Sequence, residues 1–438
     1  MKKIIISGLL VAATFFLFPA CGNTQQVKTS GELDAIINVK EVERIERVLA
    51  ADEMRGRKVF SPELDKAAEF IGAEFKSAGL QTWNNSGSYR QDFSVVSAKQ
   101  SSASCIINDN KIDDKNFVVI TCQPALGINE NSGYEKVRIP AGKAFPQEVQ
   151  KLVRSGKNYI VLVDTSYSRN FGRLNGFKRQ MFKINNSVIF ILTTEDPAKY
   201  IVEAKHDITE QKLANVVGVL PGKSRKDEYV VFSAHYDHIG VGRAVDGDSI
   251  YNGANDDAAG TTAVILLAKY FNKLQNNERT IVFVAFTAEE VGGNGSQYFS
   301  RQIEPEKVMA MFNIEMIGTE SKWGKNSAYI TGYEKTDMGT ILQKNLEGTG
   351  FNFYPDPYTA QQLFYRSDNA TLARLGVPAH TISTSKMDSE PNYHKVSDEV
   401  ETLDLENMAM IIKSIALSSK GIISGKETPS RVKVEELR

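Results

Sequence analysis

Two adjacent carboxylates, Glu289 and Glu290, follow the apolar run TIVFVAF at 280–286. Like charges this close raise each other's pKa and cost stability unless a cation or a proton lies between them. Polar donors placed just after an apolar run recur along the chain. YVVFSA (229–234) is followed by His235, Tyr236, Asp237 and His238; Asp256 and Asp257 sit in YNGANDDAAG; Glu315 follows VMAMFNI (308–314); His394 lies in NYHKVSD. Imidazole nitrogens and carboxylate oxygens are the donor set of zinc in a hydrolytic site. Each piece alone has an ordinary explanation. His-x-Asp at a strand end is often a capped turn, Asp257 reads as the N-cap of a helix starting near 258, and paired glutamates are commonly solvated. Their joint recurrence, each after its own apolar run, points to one metal site.

The elements that must carry these residues are legible from periodicity. The runs at 229–234, 280–286, 308–314 and 377–383 read as strands buried on both faces, and 260–274, 336–350 and 404–421 as helices. Strands of this kind alternating with helices predict an α/β three-layer sandwich with a mostly parallel central sheet. Ligands bind such sheets beyond the carboxyl ends of the strands, where the polar clusters fall. Helical spacing also fills 39–80, as in LDKAAEFIGAEFKSAGL (64–80). Between 96 and 205 short β-like runs such as NYIVLVD and SVIFILT alternate with polar stretches poor in site motifs, which predicts an inserted β-containing accessory domain. The expected organisation is a catalytic body at 39–95 and 206–424, the insert at 96–205 and a tail at 425–438.

The bulk numbers exclude little. A chain of 438 residues can bury a large core, and 52 basic against 53 acidic residues leave a net charge of -1. No overall field draws in nucleic acid. Lys2 and Lys3 before the apolar stretch Ile4 to Phe18 read as a secretory signal over 1–20, too short for the ~20 residues of a spanning helix. The sequence FPAC ending at Cys21 resembles a bacterial lipoprotein processing box, with Phe18 in place of the usual aliphatic residue. It implies export to the periplasm or cell surface and a lipid on Cys21, with 21–38 as a polar tether; an ordinary signal with a chance cysteine is the alternative. Export leaves open a disulfide between Cys105 and Cys122, or two unpaired thiols.

The motifs AHYDHIG, GANDDAAG, TAEEVGGNGS, FNIEMIG, RSDNATLARLGVPA and NYHKVSD resemble the co-catalytic zinc exopeptidases. That family includes secreted bacterial leucyl aminopeptidases, glutamate carboxypeptidase II and glutaminyl cyclases. The resemblance implies two zinc ions: His235, Asp256 and Glu315 hold one, and Glu290, His394 and the bridging Asp256 hold the other. It further implies that Asp237 accepts a hydrogen bond from His235, that Glu289 is the general base, and that Tyr393 stabilises the oxyanion. The family usually carries aspartate at the position of Glu315, so a single-zinc enzyme is the alternative there.

The implied activity is hydrolysis of N-terminal residues from peptides. The rivals are a single-zinc glutaminyl cyclase, a carboxypeptidase acting on acidic dipeptides, and a binding domain on a catalytically dead peptidase fold. Other residues have two readings. His238 is a pocket or a loop residue; His380 and His206 read as structural; Ser367 and Asp368 either line the pocket or cap a helix. Arg366 is a candidate for contacting a substrate carboxylate. The basic stretch Arg169 to Lys183 reads as a solvated loop.

Overall fold

The computed structural model describes residues 31–438. The expected signal, Cys21 and the tether up to residue 30 lie outside the described residues. From 31 onward the chain already belongs to the body: Gly31–Ile36 is a helix whose Leu33 is fully buried. The expected tether therefore does not extend to 38.

The periodicity at 39–80 resolves into two helices, Val39–Leu49 and Pro62–Ser77, separated by an irregular turn over Asp52–Arg57. Asn38 caps the first by accepting from the Glu41 amide, and Ser61 caps the second by accepting from Leu64. Both pack against the long helix Ala259–Leu274 and its neighbours in one apolar cluster.

The main sheet is mixed, with a parallel centre. Strand Arg225–His235 pairs in parallel with Arg279–Phe286 on one side and Val308–Ile314 on the other, and the latter pairs in parallel with Ala379–Ser383. Antiparallel strands flank this core, Tyr200–Leu220 beyond Arg279–Phe286 and Ser327–Ile330 beyond Ala379–Ser383.

The two faces of the sheet are sorted residue by residue. Val230, Phe232 and Ala234 face the cluster formed with the long helices, while Val231 faces a second cluster built around Phe299, Phe364 and Leu372. Ile281, Phe283 and Ala285 alternate in the same way with Val282, Val284 and Phe286. Strands apolar at every position thus serve two layers of helices, each buried Val, Ile or Phe contributing roughly 1.5–3 kcal/mol. The expected three-layer architecture is what forms.

The expected insert boundaries at 96 and 205 fall inside continuous strands. Arg90–Ile107 and Tyr200–Leu220 pair from Arg90↔Val216 to Ile107↔Tyr200 and run outward as one ribbon. At its far end Phe117–Ile120, Val188–Leu192, Tyr159–Val163 and Glu135–Ile139 form a separate four-stranded sheet. Composition changes at the boundary, but the hydrogen-bond ladder does not. Of the two readings left open for Cys105 and Cys122, the unpaired one is what forms: both are free, and Cys122 Sγ accepts from the Ile184 amide.

The C-terminal segment is docked rather than free. Arg279 donates to the carbonyl of Glu427 and to the Thr428 hydroxyl, and the Val432 amide donates to Gly376.

Candidate metal centre

The site assembles where the parallel strands end. His235 closes strand Arg225–His235, and the loop after Arg279–Phe286 carries Glu289 and Glu290. Glu315 directly follows Val308–Ile314. Asp256 and Asp257 occupy the non-helical turn that leads into helix Ala259–Leu274. His394 comes from the loop beyond Ala379–Ser383, with a left-handed φ of 55°.

All five predicted ligands converge. His235 Nε2 is 3.2 Å from Asp256 Oδ1, and His235, Asp256 and Glu315 each offer an atom within 4.8 Å of the others. His394 Nε2 lies 3.2 Å from Asp256 Oδ2 and 3.3 Å from Glu290 Oε2. Asp256 therefore stands between two groups, one oxygen toward each, as the bridging assignment requires.

The donor chemistry fits a cation. His235 Nδ1 is 3.0 Å from the carbonyl of Asp237, an oxygen that can only accept, so Nδ1 carries a proton and a neutral His235 would turn the lone pair of Nε2 toward Asp256. A lone pair facing a carboxylate is repulsive unless something positive separates them. His235 Nε2, Asp256 Oδ2, Glu290 Oε1 and Glu315 Oε2 are all buried without a hydrogen-bond partner. Orphans of this kind, pointed at one another, are what a bound ion satisfies.

Charge at the site reports the same crowding. Burial disfavours a charged His235, yet the Asp256 contact and the charges of Asp257 and Glu289 carry its pKa well above the usual value. Contacts with Asp256 and Glu290 raise His394 to about 10. Burial opposes ionisation of Glu290, but His238 and His394 hold it down at about 2. Glu289 behaves oppositely. Burial first, then the charges of Glu315, Asp368 and Glu290, push its carboxyl well above the normal range. One member of the opening pair is committed to the cluster as an anion, and its neighbour is left with proton affinity.

Asp237 does a different job from the one expected. The backbone carbonyl, not the carboxylate, meets the His235 ring. The carboxylate instead accepts the amides of Glu289 at 3.1 Å and Glu290 at 3.3 Å. The geometric reason is register: the side chain points across to the neighbouring parallel strand's loop rather than back along its own.

Three supports were not legible in sequence. Asp257 accepts from the amides of His235, Gly260 and Met316, so the expected helix cap also ties together the loops of His235 and Glu315. Asp398 accepts from the amides of Asn255 and Asp256. Arg57, fully buried, donates to the carbonyls of Leu49, Tyr236, Asn252 and Gly253. It thereby clamps the His235 loop to the Asp256 loop. Its acceptors are backbone atoms of residues far apart in sequence, so no side-chain motif announces it.

The remaining candidates fall into place. His380 is a satisfied core residue, its ring nitrogens 2.8 Å from Thr331 O and Thr336 Oγ1. Ser367 accepts from Asn313 Nδ2, and Asp368 is buried with neither oxygen bonded, so neither side chain caps the following helix. His206 is buried far along the ribbon. His238 lies inside the cluster, against Glu290 and Asp256.

A cleft open to solvent reaches this cluster. Asp256, Glu289, Glu315 and His394 line its floor, Met316, Leu363 and Met387 give it apolar surface, and Tyr393 and Arg366 stand in its wall. Tyr393 stacks on His394 with ring centroids 4.0 Å apart, and its hydroxyl is 3.4 Å from Arg366 Nη2.

Residues 215–418, which contain all five predicted ligands, match the model of peptidase family M28. A protein named "Probable leucine aminopeptidase" from Trichophyton verrucosum is 28% identical over 204 residues, covering 44% of this chain and 53% of that protein. Leucine aminopeptidase 1 of Metarhizium robertsii is 25% identical over 318 residues, covering 68% of this chain and 77% of its own. The chain thus spans about half the length of the first of these relatives. The solved aminopeptidase from Aneurinibacillus sp. strain AM-1 superposes with a TM-score of 0.53 at 18% identity, over 93% of this chain and 98% of that one. The likeness drawn from the motifs is borne out by the family match, and the fold by the structural neighbour.

Proposed function

We propose that the chain is a zinc-dependent exopeptidase, an aminopeptidase that removes N-terminal residues from peptides, with Glu289 as its general base. One observation carries the reading: His235, Asp256 and Glu315 offer atoms within 4.8 Å of one another, His394 approaches both Asp256 and Glu290, and Glu289 lines the same cleft. The names of the relatives support the same activity.

His235, Asp256 and Glu315 would hold one zinc and Asp256, Glu290 and His394 the second. Bound there, zinc supplies Lewis acidity that makes water a nucleophile near neutral pH and polarises a carbonyl. The chain's own residues do the rest. Glu289 takes the proton of the attacking water at its carboxylate and returns it to the leaving amine nitrogen, a role worth ~10²–10⁴-fold in rate. Burial raises the pKa of Tyr393 well above that of an ordinary phenol, so its O–H remains a donor for the developing oxyanion. Arg366, beside that hydroxyl, is placed to meet a substrate carboxylate. Asp237 fixes the backbone on which Glu289 and Glu290 ride.

The two-part organisation belongs to the same proposal, with 96–205 as an accessory domain on a peptidase body. So does export, with a lipid on Cys21 as the anchor. Among the described residues no helix is long and apolar enough to cross a membrane. Intact mass of the mature chain, with and without Cys21→Ala, tests the lipid directly.

The activity is tested by metal analysis of the purified protein together with hydrolysis of a panel of amino-acyl anilides before and after chelation. Two zinc ions and chelator-sensitive release of amino acids are expected. One zinc with formation of pyroglutamate would replace the reading with a cyclase, and a metal-free, inert protein would replace it with a binding domain.

A further inference from the structure

We infer that His238 is a ligand of the second metal, so that this site is built with two imidazoles where the sequence motifs supply one. The inference rests on the two-metal reading above and enlarges its donor set.

His238 is 1% exposed, and its Nδ1 lies 2.8 Å from Glu290 Oε1 and 3.9 Å from Asp256 Oδ2. These are the two carboxylates that His394 also approaches. At 2.8 Å a nitrogen and a carboxylate oxygen would ordinarily form a short hydrogen bond. Despite that approach, His238 Nδ1 and Glu290 Oε1 both remain without a well-directed hydrogen-bond partner. Two buried polar atoms this close and unbonded are destabilising unless both address a third body.

The spacing suits such a body. Four donors around zinc at ~2.0–2.2 Å stand roughly 3.2–3.6 Å from one another. The separations among His238 Nδ1, His394 Nε2, Asp256 Oδ2 and Glu290 bracket that range at 2.8, 3.2, 3.3 and 3.9 Å.

The ring position is built into the fold. Gly253, at φ 59°, presses its backbone on the imidazole, and a Cβ there would come within 2.5 Å of the ring. The His394 ring stands edge-on at 5.8 Å and 72°. The His238 amide donates to the carbonyl of Arg57, whose side chain in turn holds Gly253. The same clamp that joins the two ligand loops thus also sets this ring.

Two neutral nitrogens with two carboxylates make the second site richer in nitrogen than the first, which has His235 alone. Imidazole favours zinc, copper, iron and nickel over magnesium and manganese. The second site should therefore fill first and empty last on chelation.

Zinc stoichiometry, stepwise chelation and zinc X-ray absorption on the wild type and on His238→Ala test this. The wild type is expected to hold two zinc ions with an average of about one and a half imidazoles per zinc. In His238→Ala the average should fall to about one, and the tighter of the two affinities should weaken about 100-fold or more. His238→Gln, which keeps the volume, guards against a folding defect and should give the same imidazole count. A wild type with two zincs but about one imidazole each would overturn the inference and leave the two-metal reading intact, as would variants with unchanged affinities. A wild type that binds no zinc would instead remove the reading on which the inference stands.

Discussion

The carboxylate of Asp237 accepts the backbone amide of Glu289 at 3.1 Å, and its second oxygen accepts the amide of Glu290. A side chain on one strand therefore sets the position of the base on the next. Substituting Asp237→Asn replaces one acceptor with a donor facing an amide. We expect kcat to fall at least about 10-fold and the second metal to bind more weakly, with the His235 site little changed, since His235 leans on a carbonyl that remains. Zinc titration that showed loss confined to the His235 site would return the carboxylate to the role first expected for it.

Glu289→Gln should leave both metals in place and lower turnover by about 10²–10⁴-fold, because the amide keeps the shape but cannot carry the proton. Metal content and kcat on one preparation decide it. Loss of a metal ion would mean that Glu289 and Glu290 exchange roles.

Arg57→Met leaves four buried carbonyls without their donor. A loss of at least about 3 kcal/mol in denaturant unfolding is expected, with weaker zinc binding at both sites since the clamp joins both loops. Arg57→Lys, with one ammonium for four acceptors, should fall between. Unfolding unchanged in Arg57→Met would contradict the clamp.

Glu46 is fully buried, accepts from Thr262 Oγ1, and has its pKa raised from 4.5 to about 8 by burial, against the partly offsetting charge of Arg57 and with that of Asp398 adding to it. Because the folded state holds this proton more tightly, the contribution is favourable below the unfolded pKa and is lost as pH rises from about 4.5 to about 8. Glu46→Gln keeps the acceptor for Thr262 and removes the titration. Urea unfolding should find it more stable than the wild type at pH 9, by on the order of several kcal/mol, and about equal at pH 5. An equal gain at both pH values would show that burial of the charge is not the cause.

Residue types alone were enough to read the strands of the parallel centre, because nearly continuous apolar runs such as TIVFVAF are buried on both faces. The sequence pointed to the five candidate ligand positions too, since His235, Glu290 and Glu315 come at or just after strand ends and a sheet of this kind collects strand ends on one edge. It did not determine which atom of Asp237 meets His235, because carbonyl and carboxylate belong to the same letter. Nor did it distinguish His238 from a loop histidine, or reveal that Arg57 serves carbonyls far along the chain. Those are relations between backbone atoms and side chains brought together only by strand register, and local sequence carries no signal for them. The insert shows the same limit: its composition changes near 96 and 205, while the pairing from Arg90 to Ile107 continues past both positions, with one register shift between Gln100 and Ser102. Residue type fixes what a side chain can do; the packing of one strand against the next decides what it meets.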